Sequence, residues 1–312
     1  IPEGLTFNTD GSKMYIVGQS GDEVNQYSLS TPFNTNSGVT HDGFYSVAAQ
    51  YGSNPRVYGI TFNNDGSRMF IVGSTGPELT QYTLTTPFDI TSGVTYDASY
   101  DFLGAGFNSQ TIIVFNDTGN KMYVKEGFGI TQFSLSVAFD ITSTIAEEGT
   151  YTLSFAPEEM VFTANGEKML LIEKTNDLIH QYSLTSPYSI ISGVSDDEVS
   201  FDVSNEDAFP SGLAISNDNS SIFIVGYASG AQRVRQYDMS ISGFTESAAN
   251  DGSLDGSVTI LIDGDTFTNQ GGTLTFGSDY TISNLPDGLT PSISVSSGGQ
   301  STTLTLSGNV IA

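Results

Sequence analysis

The chain's 312 residues carry 35 acidic and 9 basic side chains, for a formal charge of −26, with no cysteine and two histidines. This balance excludes nucleic acid and anionic membrane surfaces as natural partners, since both need clustered Lys and Arg, and it removes disulfides, thiolate metal sites and cysteine nucleophiles. With 38% hydrophobic residues, including 20 Phe and 15 Tyr, the chain can bury a sizeable core, yet its longest apolar runs, such as Met169–Ile172, are far too short to span a bilayer.

The first residue is Ile and no basic-then-apolar leader follows it, so the sequence reads as processed or excerpted. Five copies of one unit then follow, anchored on Gln26-Tyr27, Gln81-Tyr82, Gln132-Phe133, Gln181-Tyr182 and Gln236-Tyr237, which lie 55, 51, 49 and 55 residues apart. Each copy opens on a short apolar segment: Gly4–Phe7, Gly59–Phe62, Ile113–Phe115, Met160–Phe162 and Gly212–Ile215. A tight turn follows at Asp10-Gly11, Asp65-Gly66, Thr118-Gly119, Asn165-Gly166 and Asp218-Asn219, residue types that tolerate positive φ. The next run, such as Met14–Val17 or Met69–Val72, does not alternate apolar with polar and predicts a strand buried on both faces. The Gln-aromatic segment does alternate and predicts a half-buried third strand. An aromatic seven residues after the Gln (Phe33, Phe88, Phe139, Tyr188) then precedes a polar, variable fourth segment. Repeats of this length, graded from apolar to polar, predict the four-stranded blades of an all-β propeller, with repeats near 1–50, 51–104, 105–153, 154–205 and 206–245 and no helix longer than a turn or two.

The fifth copy supplies three strands and departs from the pattern after Phe244. From Glu246 onward Lys and Arg are absent, and residues 246–312 predict a small Ig-like β-sandwich, possible truncation included, with strands at Ser257–Ile262, Thr273–Phe276, Tyr280–Ser283, Ser292–Ser296 and Thr302–Leu306. Three sources for the fifth blade's outer strand stay open: Ser257–Ile262, further blades upstream that enlarge the ring, or a partner chain.

The unit at residues 59–73, Gly-Ile-Thr-Phe-Asn-Asn-Asp-Gly-Ser-Arg-Met-Phe-Ile-Val-Gly, continued by Gln81–Asp89, resembles the propeller repeats of large secreted or surface proteins of marine bacteria, archaea and their phages. The resemblance covers roughly residues 1–245. The tail, with Gly264–Phe267, Asp279–Thr281 and Leu285–Thr290, is similar to a module repeated in giant bacterial adhesins. These resemblances imply a modular cell-surface protein whose relatives mostly lack a known reaction, and they transfer no site residues. Copies three and four depart from the repeat, with Lys125 and Ile172 near the usual Val-Gly.

Signals for chemistry are sparse. His41 and His180 fall at positions that vary among the copies and read as solvated, not catalytic. Glycosidase chemistry needs only two suitably spaced carboxylates, which 35 acids supply by chance. Loops between second and third strands carry Asp22, Glu23, Glu78, Glu126 and Asp177, candidates for recognition on one face of the ring. Arg233 and Arg235 project from one face of the fifth copy's third strand, where they pair with nearby acids or dock a small anion or glycan carboxylate. No organic cofactor is expected. Calcium is the metal that fits the composition, with Asp251, Asp255, Asp263 and Asp265 as ligands, against a reading of these acids as plain turn residues.

The leading expectation is a non-enzymatic extracellular module, adhesin-like or surface-layer-like, that recognises other subunits, further copies of itself or glycans, without membrane insertion. One alternative is a glycan-binding or glycan-cleaving propeller, which requires a polar, aromatic-lined pocket at the ring's centre. Another is a virion or filament subunit completed by strand addition from a neighbour, which places it on a virion surface.

Overall fold

The computed structural model describes residues 2–18, 23–36, 38–52, 56–73, 77–102, 113–204, 209–228, 231–238, 245–246, 254–255, 257–261, 271–275, 279, 288–297 and 301–308. The chain divides into two compact units, Ile1–Asp238 and Met239–Ala312, where the sequence reading divides it after residue 245.

The first unit is a β-propeller. Blade one comprises β1 (Pro2–Phe7), β2 (Lys13–Gly18), β3 (Glu23–Leu29) and β4 (Val39–Ser46), and a four-residue helix, α1 (Ala48–Tyr51), leads out of it. Blade two holds β5 (Val57–Phe62), β6 (Arg68–Gly73), β7 (Leu79–Leu84) and β8 (Val94–Tyr100). Blade three holds β9 (Ile113–Phe115), β10 (Lys121–Glu126), β11 (Gly129–Leu135) and β12 (Ile145–Thr152). Blade four holds β13 (Met160–Phe162), β14 (Lys168–Glu173), β15 (Leu178–Leu184) and β16 (Val194–Asp202). Blade five has three described strands, β17 (Pro210–Ile215), β18 (Ser221–Ala228) and β19 (Ala231–Asp238). Every blade is an antiparallel meander in chain order.

The recurring residues explain the blade. After the innermost strand, Asn8, Asn63 and Asn116 accept the amides of Lys13, Arg68 and Lys121 at 2.8–2.9 Å, and Thr163 and Ser216 do the same for Lys168 and Ser221 at 3.1 and 2.9 Å. The turn glycines Gly11, Gly66, Gly119 and Gly166 have φ near +70°, and each lies under the aromatic ring that follows its blade's third strand. Those aromatics, Phe33, Phe88, Phe139 and Tyr188, are themselves left-handed, with φ of 52–57°, and donate their amides to the same glycines' carbonyls. The second strands are buried on both faces as expected: Tyr15, Met69, Phe70, Ile71, Met122 and Tyr123 are all inaccessible, and each such side chain stabilises the fold by roughly 1.5–3 kcal/mol. Third strands are half-buried in blade one, whereas β7 is buried at every position but one, because Tyr51 of α1 lies over it and bonds Thr80.

Blades are latched to one another by the Gln that defines the repeat. Gln26, Gln81 and Gln132 accept the buried amides of Ile90, Ile141 and Ile190 in the next blade at 2.9–3.0 Å. Their amide groups donate to Asp42, Asp97 and Glu148, and Gln181 likewise donates to Asp197. Each of these acids lies in a β-bulge of the outer strand, where the partner register skips it. In blades one and two the basic residue that opens the second strand is a second latch: Lys13 Nζ donates to the Phe88 carbonyl at 2.8 Å and Arg68 to that of Phe139 at 2.6 Å. Tyr15 and Tyr123 donate to the carbonyls of Phe88 and Tyr188, and burial raises both phenol pKa values. Substituting Gln132→Leu leaves the Ile190 amide unsatisfied and is expected to cost about 2 kcal/mol in chemical denaturation, whereas Glu148→Gln, which still offers an acceptor, costs under about 1 kcal/mol.

The ring closes between blades one and five. Gln236 accepts the Thr35 amide at 3.0 Å, which repeats the latch across 201 residues. Ser211 donates to the Pro2 carbonyl at 2.9 Å, Asn217 to that of Thr9, and Phe7 and Phe33 pack on Phe223. Ser257–Leu261, one expected source of the fifth blade's outer strand, pairs among the described residues with Ser301–Gly308 instead. In the second unit β20 (Thr245–Glu246) pairs with β21 (Leu254–Asp255), while β22 (Ser257–Leu261), β23 (Thr273–Leu274), β24 (Leu289–Val295) and β25 (Ser301–Gly308) form one antiparallel sheet. Its order is β22-β25-β24-β23, so β22 is an edge strand of this sheet. The expected strand Tyr280–Ser283 lies outside the described residues.

Candidate functional site

The innermost strands surround an axial cavity of about 390 Å³, within the size range of small-molecule sites. Thr6, Thr61, Val114, Val161 and Ala214 occupy equivalent positions of the five inner strands, and all line it. Towards the turns the lining becomes aromatic, with Phe33, Phe88, Phe139 and Tyr188. The asparagines there are committed to the turns described above, so they brace the walls instead of offering free groups.

At the other end the strands converge on glycine. A Cβ on Gly4 would stand 2.6 Å from the Tyr58 carbonyl oxygen, and one on Gly212 would stand 2.6 Å from that of Glu3. Blades three and four do not keep this glycine and have Ile112 and Glu159 in its place. Glu159 holds the position of Gly4, Gly59 and Gly212, one residue before β13, and its side chain lines the cavity. Blade four is not adjacent to blade one or two in the five-blade ring, so Glu159 lines the cavity from a different part of the ring than Thr6 and Thr61.

Further substitutions surround Glu159. Lys125 stands where blades one, two and five have Val17, Val72 and Val225, and only 5% of it is exposed. Glu158 is 3.8 Å from the Lys174 ammonium. Burial pushes Glu159 up to about 8, against the pull of the Met160 amide, which donates to its Oε1 at 3.0 Å, and of Lys125; Glu158 pushes the same way as burial. Lys125 is shifted down, chiefly by burial and also by Lys174, while Glu158 and Glu159 oppose the shift. An uncharged Glu159 beside a buried cation both donates and accepts hydrogen bonds at neutral pH. Replacing the cation, Lys125→Met, is expected to move the Glu159 titration still higher, as a carboxyl-detected NMR pH titration would read.

The loop acids are not gathered into one site. Glu78 accepts the Phe102 amide at 2.7 Å, and burial raises its pKa. Glu23 begins β3, Asp177 sits in a left-handed turn with φ of 53°, and Glu126 ends β10. Asp22 lies outside the described residues. His180, expected to be solvated, instead contacts Glu173 at 2.8 Å and stacks on Phe155. His41 contacts Asn25 at 3.0 Å in an exposed setting. Arg233 is exposed and Arg235 half-buried, and among the described residues neither forms an ion pair. Asp251, Asp263 and Asp265 lie outside the described residues, and Asp255 is placed only as backbone in β21. The sequence signal for Glu159 was an acid in a column that is glycine in three copies and Ile112 in another, visible once the copies are aligned on the inner strand's last residue.

No family profile matches the chain, and no curated protein does. Solved structures do. The periplasmic gluconolactonase of Pseudomonas aeruginosa is 13% identical, over 75% of this chain and 65% of that one, with a TM-score of 0.43. The Cps50 (Swd1) β-propeller domain of Myceliophteria thermophila is 12% identical, over 97% and 83%, with a TM-score of 0.40. A chain of a nidogen/laminin complex is 13% identical, over 78% of each, with a TM-score of 0.45. This chain thus spans about two thirds of the length of the gluconolactonase.

Proposed function

We propose that the chain is a non-catalytic recognition module of a secreted or cell-surface protein, whose propeller binds a neutral sugar, as at the end of a glycan, in its axial cavity. The observation that carries this reading is Glu159, an acid where three blades have glycine, which lines the same cavity as Thr6, Thr61 and the aromatic residues Phe33, Phe88, Phe139 and Tyr188. Sugars need that combination: hydroxyl groups call for donors and acceptors on opposite sides, and the apolar ring faces pack on aromatic rings. A carboxyl held uncharged at neutral pH serves as both donor and acceptor. The extracellular placement rests on the resemblance of the repeats and on the acidic, cysteine-free composition.

Calorimetric titration of the chain against a panel of neutral mono- and disaccharides tests the reading. Binding is expected, with Glu159→Ala weakening it at least about ten-fold through loss of a buried hydrogen-bond pair, and without release of reducing ends. Release of reducing ends would turn the module into a glycan-cleaving enzyme. A panel without a binder would end the proposal.

A further inference from the structure

We propose that the outer edge of β19 receives an antiparallel β-strand from another polypeptide, one that carries a carboxylate opposite Gln236. This is independent of the sugar reading, which concerns the axis of the ring, whereas β19 is the outermost described strand of blade five.

Three observations on β19 converge. Among the described residues no strand pairs with its outer edge, although the corresponding strands β3, β7, β11 and β15 are each covered by a fourth. In those four blades the Gln amide group donates to a bulge carboxylate at 2.6–3.2 Å, from Asp42, Asp97, Glu148 or Asp197. Gln236 keeps the other half of the motif, its carbonyl bonded to Thr35, but among the described residues its amide reaches only Ser221 Oγ at 3.4 Å. Finally, blade five alone has arginines at the two positions that precede the Gln by three and by one. Arg233 is exposed, and Arg235 Nε is buried without a hydrogen-bond partner among the described residues.

These features specify the occupant. A strand that adds to β19 gains backbone hydrogen bonds along eight residues, which supplies affinity of the strand-addition kind. Register comes from the bulge: its carboxylate must fall opposite the Gln236–Tyr237 step, as Asp42 falls opposite Gln26–Tyr27 in blade one. Further acidic or hydroxyl side chains two and four residues onward would face Arg235 and Arg233, as Phe44 and Ser46 face Asn25 and Glu23. The partner is therefore an extended acidic segment, suited to a cationic strand on a chain whose net charge of −26 otherwise repels acids.

The test uses the whole chain and a fluorescent peptide with the β4 sequence Val39–Ser46, read by anisotropy. Saturable binding is expected, the Asp42→Asn peptide should bind about ten-fold more weakly, as fits a lost charge-assisted hydrogen bond, and the Arg235→Gln chain should bind the unaltered peptide several-fold more weakly. Because the first change is made on the peptide, a misfolded protein cannot imitate its effect. No binding at millimolar peptide overturns the proposal, as does binding indifferent to Asp42→Asn.

Discussion

Gly119→Ala is expected to destabilise the propeller by about 4 kcal/mol, while Gly127→Ala, also at a left-handed glycine of blade three, costs only about 1 kcal/mol. The two sites have similar φ, +68° and +57°, so both pay for placing an alanine in that conformation. They differ in surroundings. A Cβ on Gly119 would stand 2.0 Å from the Phe139 ring, whereas nothing lies within 4 Å of one on Gly127. Phe139 cannot yield easily: its own backbone is left-handed, its amide is bonded to the Gly119 carbonyl, and its carbonyl accepts the Arg68 guanidinium of the preceding blade. Moving the ring would therefore loosen a blade-to-blade latch as well as a turn. Urea midpoints of the two variants measure the difference, and equal losses would show that the stacked ring imposes no steric constraint.

The sequence made the blades legible because each strand's pattern is local. Two-sided burial of Met69–Val72 and the turn chemistry of Asp65-Gly66 are properties of neighbouring residues, and both appear as read. The function of the repeated Gln was not legible, since its acceptor and donor partners lie in different strands and its amide partner in another blade. For the same reason Asp42, Asp97, Glu148 and Asp197 looked like variable surface acids, although they complete the latch. Ring closure depends on Thr35 meeting Gln236, a contact that no pattern within one copy announces. The loop acids were chosen for their place in the loops between second and third strands, and Glu78 shows the weakness of that rule: its carboxylate serves a backbone amide. Glu159 escaped, and Lys125 was seen only as a departure of its own copy from the repeat, because each looks like an isolated irregularity. Packing blade three against blade four brings them together.

Raising the pH should reveal Glu159 as a cost to the fold. Its carboxyl titrates near 8 in the folded chain and at the ordinary 4.5 when unfolded. Between those values the folded state holds a proton that the unfolded state has lost, so stability due to this group is complete below about 4.5, falls as pH rises, and is lost once pH passes 8. The shift corresponds to roughly 5 kcal/mol. Glu159→Gln removes the titration while keeping the shape and the acceptor for the Met160 amide. The variant should therefore match the parent near pH 4 and exceed it by roughly 5 kcal/mol at pH 9. Three charged neighbours modulate the slope. Glu158 pushes the Glu159 proton affinity upward and Lys125 pulls it down, while Lys125, held down by burial and Lys174, contributes stability of the opposite slope as pH rises towards 10.5. Denaturation of parent and variant across pH 4–9 separates these effects, because only the Glu159 component vanishes in the variant. Parallel curves would mean that Glu159 is ionised and solvated at neutral pH. The cavity would then carry a fixed negative charge, and a neutral sugar would lose the donor on which its proposed recognition depends.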